Sequence, residues 1–184
     1  LAHACEKWGP VDGAILCAGI EPSEDASIEN LEDSVWTQVF DVNSSGTMRV
    51  ARAVTRAMLA AGKDGRRRAI TFVGSPTGYY GLELGHHAYS ASKAAVTGLA
   101  RVMAVEMARD NINVNVVWPG LIDTPMNEFI MQDAAYLAQE VDRIPLGRVG
   151  EPAEVASVCV FLISEAARYC TGSIVCVDGG LVAR

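Results

Sequence analysis

The chain has 184 residues, half of them apolar, and a formal net charge of −7. That length suits one domain with a real core, and the charge argues against a nucleic-acid or anionic-membrane partner. No uninterrupted apolar stretch is long enough to cross a bilayer, and no signal peptide is recognised. The five cysteines at 5, 17, 159, 170 and 176 are odd in number and lack a Cys-x-x-Cys. They read as buried apolar thiols in a reducing cytoplasm, with a Cys170–Cys176 disulfide the weaker alternative. The three histidines, two of them adjacent, do not make a metal site.

Residues Leu1 to Trp8 read as the end of a helix, and Gly13-Ala14-Ile15-Leu16-Cys17 as the first strand. A polar turn follows from Gly19 to Ser27, where Ser27 suits an N-cap. Leu31 to Ala61 carries a helical pattern, interrupted in its middle by Asn43 to Gly46. A polar break inside a long helix often marks a local irregularity with a function. The loop Gly62 to Arg68 ends in three arginines, read as a solvated entrance to the next strand.

That strand, Ala69-Ile70-Thr71-Phe72-Val73, ends in Gly74-Ser75. His86-His87 caps or precedes a helix from Ala88 to Arg109, with Asn111 suited to a left-handed position just past its end. Ile112 to Val117 is the next strand and runs into Trp118-Pro119-Gly120. Residues 125–146 are long, helical in patches and apolar at Phe129, Ile130, Met131, Tyr136 and Leu137, as a lid over a partly apolar substrate would be. Trp118 suits either the wall of such a pocket or the core. Ala153 to Ser164 is a helix opened by Glu151-Pro152, and Ser173 to Val177 is the last strand.

Short apolar runs alternating with helices predict βαβ units in a parallel sheet. Ligands of such sheets bind at the carboxyl ends of the strands. Ser75, Pro119-Gly120 and the start of the Tyr89 helix all fall at that edge. Tyr89 and Lys93, four residues apart, stack a phenol and an ammonium on one helix face. A cation beside a phenol is expected to lower its pKa, which makes the pair a candidate proton donor or acceptor. Alone, the spacing is weak, and most such matches are a half-buried tyrosine beside a solvated lysine.

Several blocks together resemble the short-chain dehydrogenase/reductase family over almost the whole chain. They are Cys17-Ala18-Gly19, Asp41 to Gly46, Gly74-Ser75, Tyr89 to Lys93, Pro119 to Met126, Pro145 to Pro152, and Thr171-Gly172 through Val177-Asp178-Gly179-Gly180. The resemblance is to the compact, oxoacyl-reductase-like branch. It implies a Rossmann-like, doubly wound parallel α/β sheet, here N-terminally truncated to about the last four strands of the family's seven. The family's glycine-rich phosphate loop occurs nowhere in the sequence. The expectation is therefore one incomplete dinucleotide-binding and catalytic domain, residues 1–184, belonging to a longer gene product or having lost its front.

The resemblance also implies roles. Tyr89 would be the general acid/base, and Lys93 would depress its pKa and bind the nicotinamide ribose. Ser75 would hold the substrate oxygen, and Asn43 would shape the helix irregularity and anchor a water on a proton path. Ser75 lies one residue further from Tyr89 than usual, which suggests a one-residue insertion between Pro76 and His87. Cys17, Ala18 and Gly19, Tyr89 and Lys93, and Pro119, Gly120, Ile122 and Thr124 would contact NAD or NADP. Leu16 and Cys17 replace the family's asparagines, so contacts there would come from backbone. The family's enoyl-reductase variant places its tyrosine where this chain has His86, which disfavours reduction of a C=C bond.

The reading is an NAD(P)-dependent oxidoreductase interconverting a ketone or aldehyde and a secondary alcohol. It would act as a cytoplasmic homotetramer joined through the two long helices and the last strand. The alternative is a truncated, catalytically incompetent paralogue that serves as a binding or assembly partner. Within the enzymes, an oxoacyl-carrier-protein reductase is a second rival, thinly supported by Arg143 and Arg148 beside the lid.

Overall fold

Each strand is separated from the next by helical chain, and the pairing follows from that. The computed structural model describes residues 1–22, 25–62, 64–81 and 85–183. Strands β1 (Gly13–Leu16), β2 (Arg68–Val73), β3 (Ile112–Pro119) and β4 (Ile174–Val177) form one sheet in the order β1-β2-β3-β4. All three pairings are parallel, with Leu16 opposite Phe72, Phe72 opposite Val116, and Val116 opposite Ile174.

The helices are α1 (Ala2–Trp8), α2 (Asp33–Phe40), α3 (Thr47–Ala60), α4 (His87–Met107), α5 (Glu128–Gln132), α6 (Ala134–Asp142) and α7 (Pro152–Ile163). They cover both faces of the sheet, so the strand interiors are apolar on both sides. Along β3 the side chains alternate between those faces. Ile112, Val114, Val116 and Trp118 pack with Val54 and Met58 of α3 and Val96 and Met103 of α4. Val117 packs on the other face with Cys159 and Leu162 of α7. Asn113 and Asn115, both buried in β3, donate to the Cys170 carbonyl at 2.8 Å and so tie β3 to the approach to β4. The architecture is the parallel Rossmann-like α/β sheet expected. None of the described helices is long and apolar enough to cross a membrane.

The irregularity expected at Asn43 to Gly46 is a π-helical stretch, Asp41–Gly46, that joins two α-helices, so the polar break is a wider turn rather than an end. The arginines before β2 are not a solvated entrance: only Arg66 is exposed. The Arg67 side chain is 6% exposed and donates to the Ile163 and Ser164 carbonyls at the end of α7. Arg68 is 2% exposed and pairs with Asp64 at 2.8 Å. Free C-terminal helix carbonyls and carboxylates stand where solvent was expected, and guanidinium is well suited to both.

Asn111 takes the left-handed conformation predicted for it, at φ 58°. Cys170 and Cys176 are free thiols, as are the other three cysteines, but of the buried set expected only Cys159 is buried: Cys17, just past the end of β1, and Cys176, on the edge strand β4, are exposed. The middle of the turn at Ser23 and Glu24, the loop residue Lys63, and residues 82–84 of the segment holding the expected insertion lie outside the described residues.

Candidate active site

The carboxyl ends of β1, β2 and β3 open into one cavity of about 1070 Å³, above the usual range for a single drug-sized ligand. Ser75 reaches it from the end of β2, Pro119 and Gly120 from the end of β3, and Tyr89 and Lys93 from the first two turns of α4. Cys17, Gly19, Ile122 and Thr124 also line it. Of the catalytic and cofactor-contacting residues expected from the sequence, Ala18 and Asn43 are not part of the wall. Ala18 is exposed between its two lining neighbours, and Asn43 lies behind the wall, 1% exposed.

Tyr89, Lys93 and Ser75 are 8%, 5% and 6% exposed, so the three polar groups meet with little water around them. The Lys93 ammonium lies 5.5 Å from the centre of the Tyr89 ring and donates to the Val73 carbonyl at 3.2 Å. The expected acidic phenol is not what this arrangement produces. Burial pushes the Tyr89 pKa up, the negative charge of Glu21 pushes it the same way, and only the hydrogen bond with Ser75 opposes them. Burial also pushes Lys93 down, with Cys17 and Glu21 partly restoring it. Desolvation outweighs the neighbouring cation because it acts on the charged form of both groups. Tyr89 is thus held as a neutral phenol, a proton donor. The Ser75 hydroxyl shares a hydrogen bond with Thr77 Oγ1 at 2.9 Å, which fixes it at the cavity wall.

Asn43 sits in the π-helical stretch and clamps the turn after β1. Its Oδ1 accepts from the Ile20 N–H at 2.8 Å, and its Nδ2 donates to the Ile20 carbonyl at 2.9 Å. The same Nδ2 donates to Ser92 Oγ at 3.0 Å, and Ser92 Oγ donates to the Tyr89 carbonyl at 2.7 Å. Gly19 lies between these groups: a Cβ there would stand 3.1 Å from Lys93 Nζ and 3.4 Å from Asn43 Oδ1. A side chain at residue 19 would crowd the ammonium, so the residue must be small.

Three site residues escaped the sequence reading. Asp25 is buried, and its carboxylate accepts from the Ala88 and Tyr89 N–H groups at 3.1 and 2.8 Å. It therefore caps the helix that carries Tyr89 from more than sixty residues upstream. The available signal was negative: no Ser, Thr, Asp or Asn stands just before Ala88. His86 does precede the helix as expected, but at φ 62° and without a side-chain cap bond. Its ring instead meets Glu21 in the cavity wall.

The segment 125–146 supplies part of the cavity's apolar wall. Phe129, Ile130 and Tyr136 line it, whereas Met131 and Leu137 do not. Asp133 caps α6 by accepting from the Ala135 and Tyr136 N–H groups at 3.0 Å. Trp118 belongs to the core rather than to the cavity, and its indole N–H donates to Thr97 Oγ1 at 3.2 Å. Arg143 lines the cavity and pairs with Glu140 at 3.2 Å, while Arg148 is turned to Glu154.

Comparison with known proteins follows the same lines. The sequence model of the family described as enoyl-(acyl carrier protein) reductase matches residues 1–182. The chain is 40% identical over 177 residues to a 3-oxoacyl-(acyl-carrier-protein) reductase of Thermotoga maritima, covering 96% of this chain and 68% of that protein. Among solved structures it resembles an oxidoreductase of the short-chain dehydrogenase/reductase family from Burkholderia thailandensis, at 36% identity and a TM-score of 0.84, covering 100% of this chain and 68% of the other. A gluconate 5-dehydrogenase from Burkholderia cenocepacia, solved with NADP and tartrate, matches at 30% identity and a TM-score of 0.91, covering 100% and 69%.

Proposed function

The chain belongs to the short-chain dehydrogenase/reductase family of oxidoreductases, and from that premise we propose that it interconverts a carbonyl compound and a secondary alcohol with NAD or NADP. The observation that carries the reading is the desolvated meeting of Tyr89, Ser75 and Lys93 at the strand ends of a parallel sheet, in one cavity.

The residues present fit the nicotinamide riboside half of a dinucleotide. An ammonium has three N–H donors, and among the described residues only the Val73 carbonyl accepts from Lys93. Two donors remain for ribose hydroxyls. Gly19 keeps the approach to them clear, and Pro119, Gly120, Ile122 and Thr124 line the same cavity. No glycine-rich loop for the pyrophosphate occurs in the sequence.

The dinucleotide, when bound, supplies or accepts the hydride. Ser75 Oγ holds the carbonyl oxygen, and Tyr89 Oη gives it a proton as negative charge develops there. Burial keeps that phenol protonated until substrate arrives. Asn43 and Asp25 fix the turn and the helix start, so the two hydroxyls keep their spacing. Phe129 and Ile130 give the cavity an apolar side suited to a carbon chain, as a lid over 125–146 would. Exposed Val50 on α3 and Val102 and Val105 on α4 support assembly into a homotetramer through those helices. The free thiols fit a reducing cytoplasm.

The test is turnover of a panel of ketones and aldehydes with NADH and with NADPH, for the protein and for Tyr89→Phe. Loss of the general acid is expected to lower kcat by about 10²- to 10⁴-fold. Full turnover by Tyr89→Phe overturns the acid/base role. No turnover of any carbonyl by the unsubstituted protein overturns the enzymatic reading in favour of a binding partner.

A further inference from the structure

The cavity carries a second pair of ionisable side chains that the mechanism above does not use. Glu21, in the turn after β1, and His86, just before α4, meet through Glu21 Oε1 and His86 Nδ1 at 2.5 Å. Both line the cavity that holds Ser75 and Tyr89. Their side chains are 19% and 28% exposed, so both lose most of their hydration on folding. An ion pair in that setting must offset the desolvation of each partner, and as a device for stability alone it is a poor one.

Two further features set the pair apart from an ordinary surface contact. His86 holds a left-handed backbone at φ 62° and ψ 19°. Among the described non-glycine residues only Asn111 shares a positive φ. Strain of this kind gathers where a side chain must be aimed. The outer atoms of the pair are also uncommitted: among the described residues, none bonds His86 Nε2 or Glu21 Oε2.

The pair's chemistry is that of one donor beside one acceptor. Glu21 raises the His86 pKa, helped by Asp25 and Glu140 against the opposing effect of burial. The imidazole therefore leans toward its doubly protonated form, in which Nδ1–H serves Glu21 and Nε2–H is left over. A hydroxyl group both donates and accepts, and matches such a pair. His86 stands at the N-cap of α4, three residues before Tyr89, and both it and Glu21 line the same cavity as Tyr89 and Ser75, which puts the pair on the side of the cavity from which the phenol projects.

We propose that Glu21 and His86 together bind a hydroxyl neighbouring the reacting carbon, so that the preferred substrate is an α-hydroxyketone or the matching vicinal diol. This rests on the oxidoreductase reading and adds a substrate class to it. The remaining apolar wall receives the rest of the carbon chain.

The test compares acetoin with butanone, which differ by one hydroxyl. With dinucleotide present, kcat/KM for acetoin is expected to exceed that for butanone by at least about tenfold, since a site built to bond a hydroxyl discriminates strongly against its absence. Glu21→Gln and His86→Asn are each expected to move that ratio toward one; asparagine keeps a residue type that accepts the left-handed backbone. In parallel, the His86 imidazole C–H resonance of the unsubstituted protein is expected to shift on adding acetoin and not on adding butanone. A ratio near one in the unsubstituted protein, or a ratio unmoved in every variant that folds, overturns the pair's role and leaves the oxidoreductase reading standing. If no carbonyl is turned over at all, that reading fails and the resonance alone decides: no shift with acetoin overturns the pair as well.

Discussion

Asn43 holds Ile20 by both ends of its peptide backbone, accepting from its N–H at 2.8 Å and donating to its carbonyl at 2.9 Å. One amide side chain thus fixes the turn that carries Gly19 and Glu21. Asn43→Ala is expected to leave those backbone groups unpartnered and to cost about 1–3 kcal/mol. Asn43→Asp should be worse, because it sets a carboxylate against the Ile20 carbonyl. Urea midpoints give the order, and an Asp variant as stable as the native protein would refute the clamp.

Tyr89 is predicted to ionise above the ordinary phenol value near 10, because burial and Glu21 both oppose the phenolate. The sign for stability follows. A group whose pKa is raised on folding contributes fully below its unfolded value, and that contribution is lost as pH rises through the folded value. Tyrosinate absorbance in the unsubstituted protein minus that of Tyr89→Phe isolates this one phenol. A transition near pH 8 would contradict the assignment.

Asp25 should matter more as an acceptor than as a charge. Asp25→Ala is expected to cost about 0.5–2 kcal/mol through loss of the cap on α4, and to lower kcat because Tyr89 N–H loses its partner. Asp25→Asn retains an accepting oxygen and should recover most of both. Equal urea midpoints for the Ala variant and the native protein would show that the cap contributes nothing.

Glu154 has its pKa lowered from 4.5 to about 2, first by Arg148 and then by the Glu151 N–H. A lowered carboxylate contributes stability above its unfolded value and loses it as pH falls through the folded one. The protein is therefore expected to lose part of its stability between about pH 4.5 and pH 2 at the N-terminus of α7. Melting temperatures over that range should fall less steeply for Glu154→Gln; an identical slope would remove Glu154 from the account.

Gly120 and Gly98 should respond oppositely to alanine. A Cβ on Gly120 would stand 2.6 Å from Asp178 Cα, backbone that cannot easily yield, whereas one on Gly98 in α4 meets nothing within 4 Å. Gly120→Ala is expected to destabilise by about 1–3 kcal/mol, and Gly98→Ala to stabilise the separated subunit by about 0.5–1 kcal/mol, since Gly98 shares the exposed stripe of α4 with Val102 and Val105. Thermal melts of the pair are the check, and a Gly120→Ala protein that melts no lower than native would overturn the packing argument.

The parts of the molecule visible in the sequence are those set by local pattern. The β-branched run ending in Phe72-Val73, the break at Asn43 and the four-residue step from Tyr89 to Lys93 each carry their own signal, and the structure places the first and third at the strand ends and Asn43 behind them. What stayed hidden depends on distant partners. Arg67 looked solvated because the carbonyls of Ile163 and Ser164 that bury it lie 96 and 97 residues away. Asp25 looked like a turn residue because its partners belong to α4. The sign of the Tyr89 shift was misjudged because spacing reveals a neighbouring cation but not the water excluded from around it.

The cap that Asp25 places on α4 has a consequence for how this chain reaches its native state. A helix can nucleate from its own residues, but the first turn of α4 is completed by a carboxylate that must be brought across a 63-residue loop. The turn bearing the reactive phenol is therefore complete only once the chain after β1 and the start of α4 have been brought together. Partly folded molecules would carry a frayed α4 and no usable acid, so recovery of activity during refolding should lag behind recovery of helical signal.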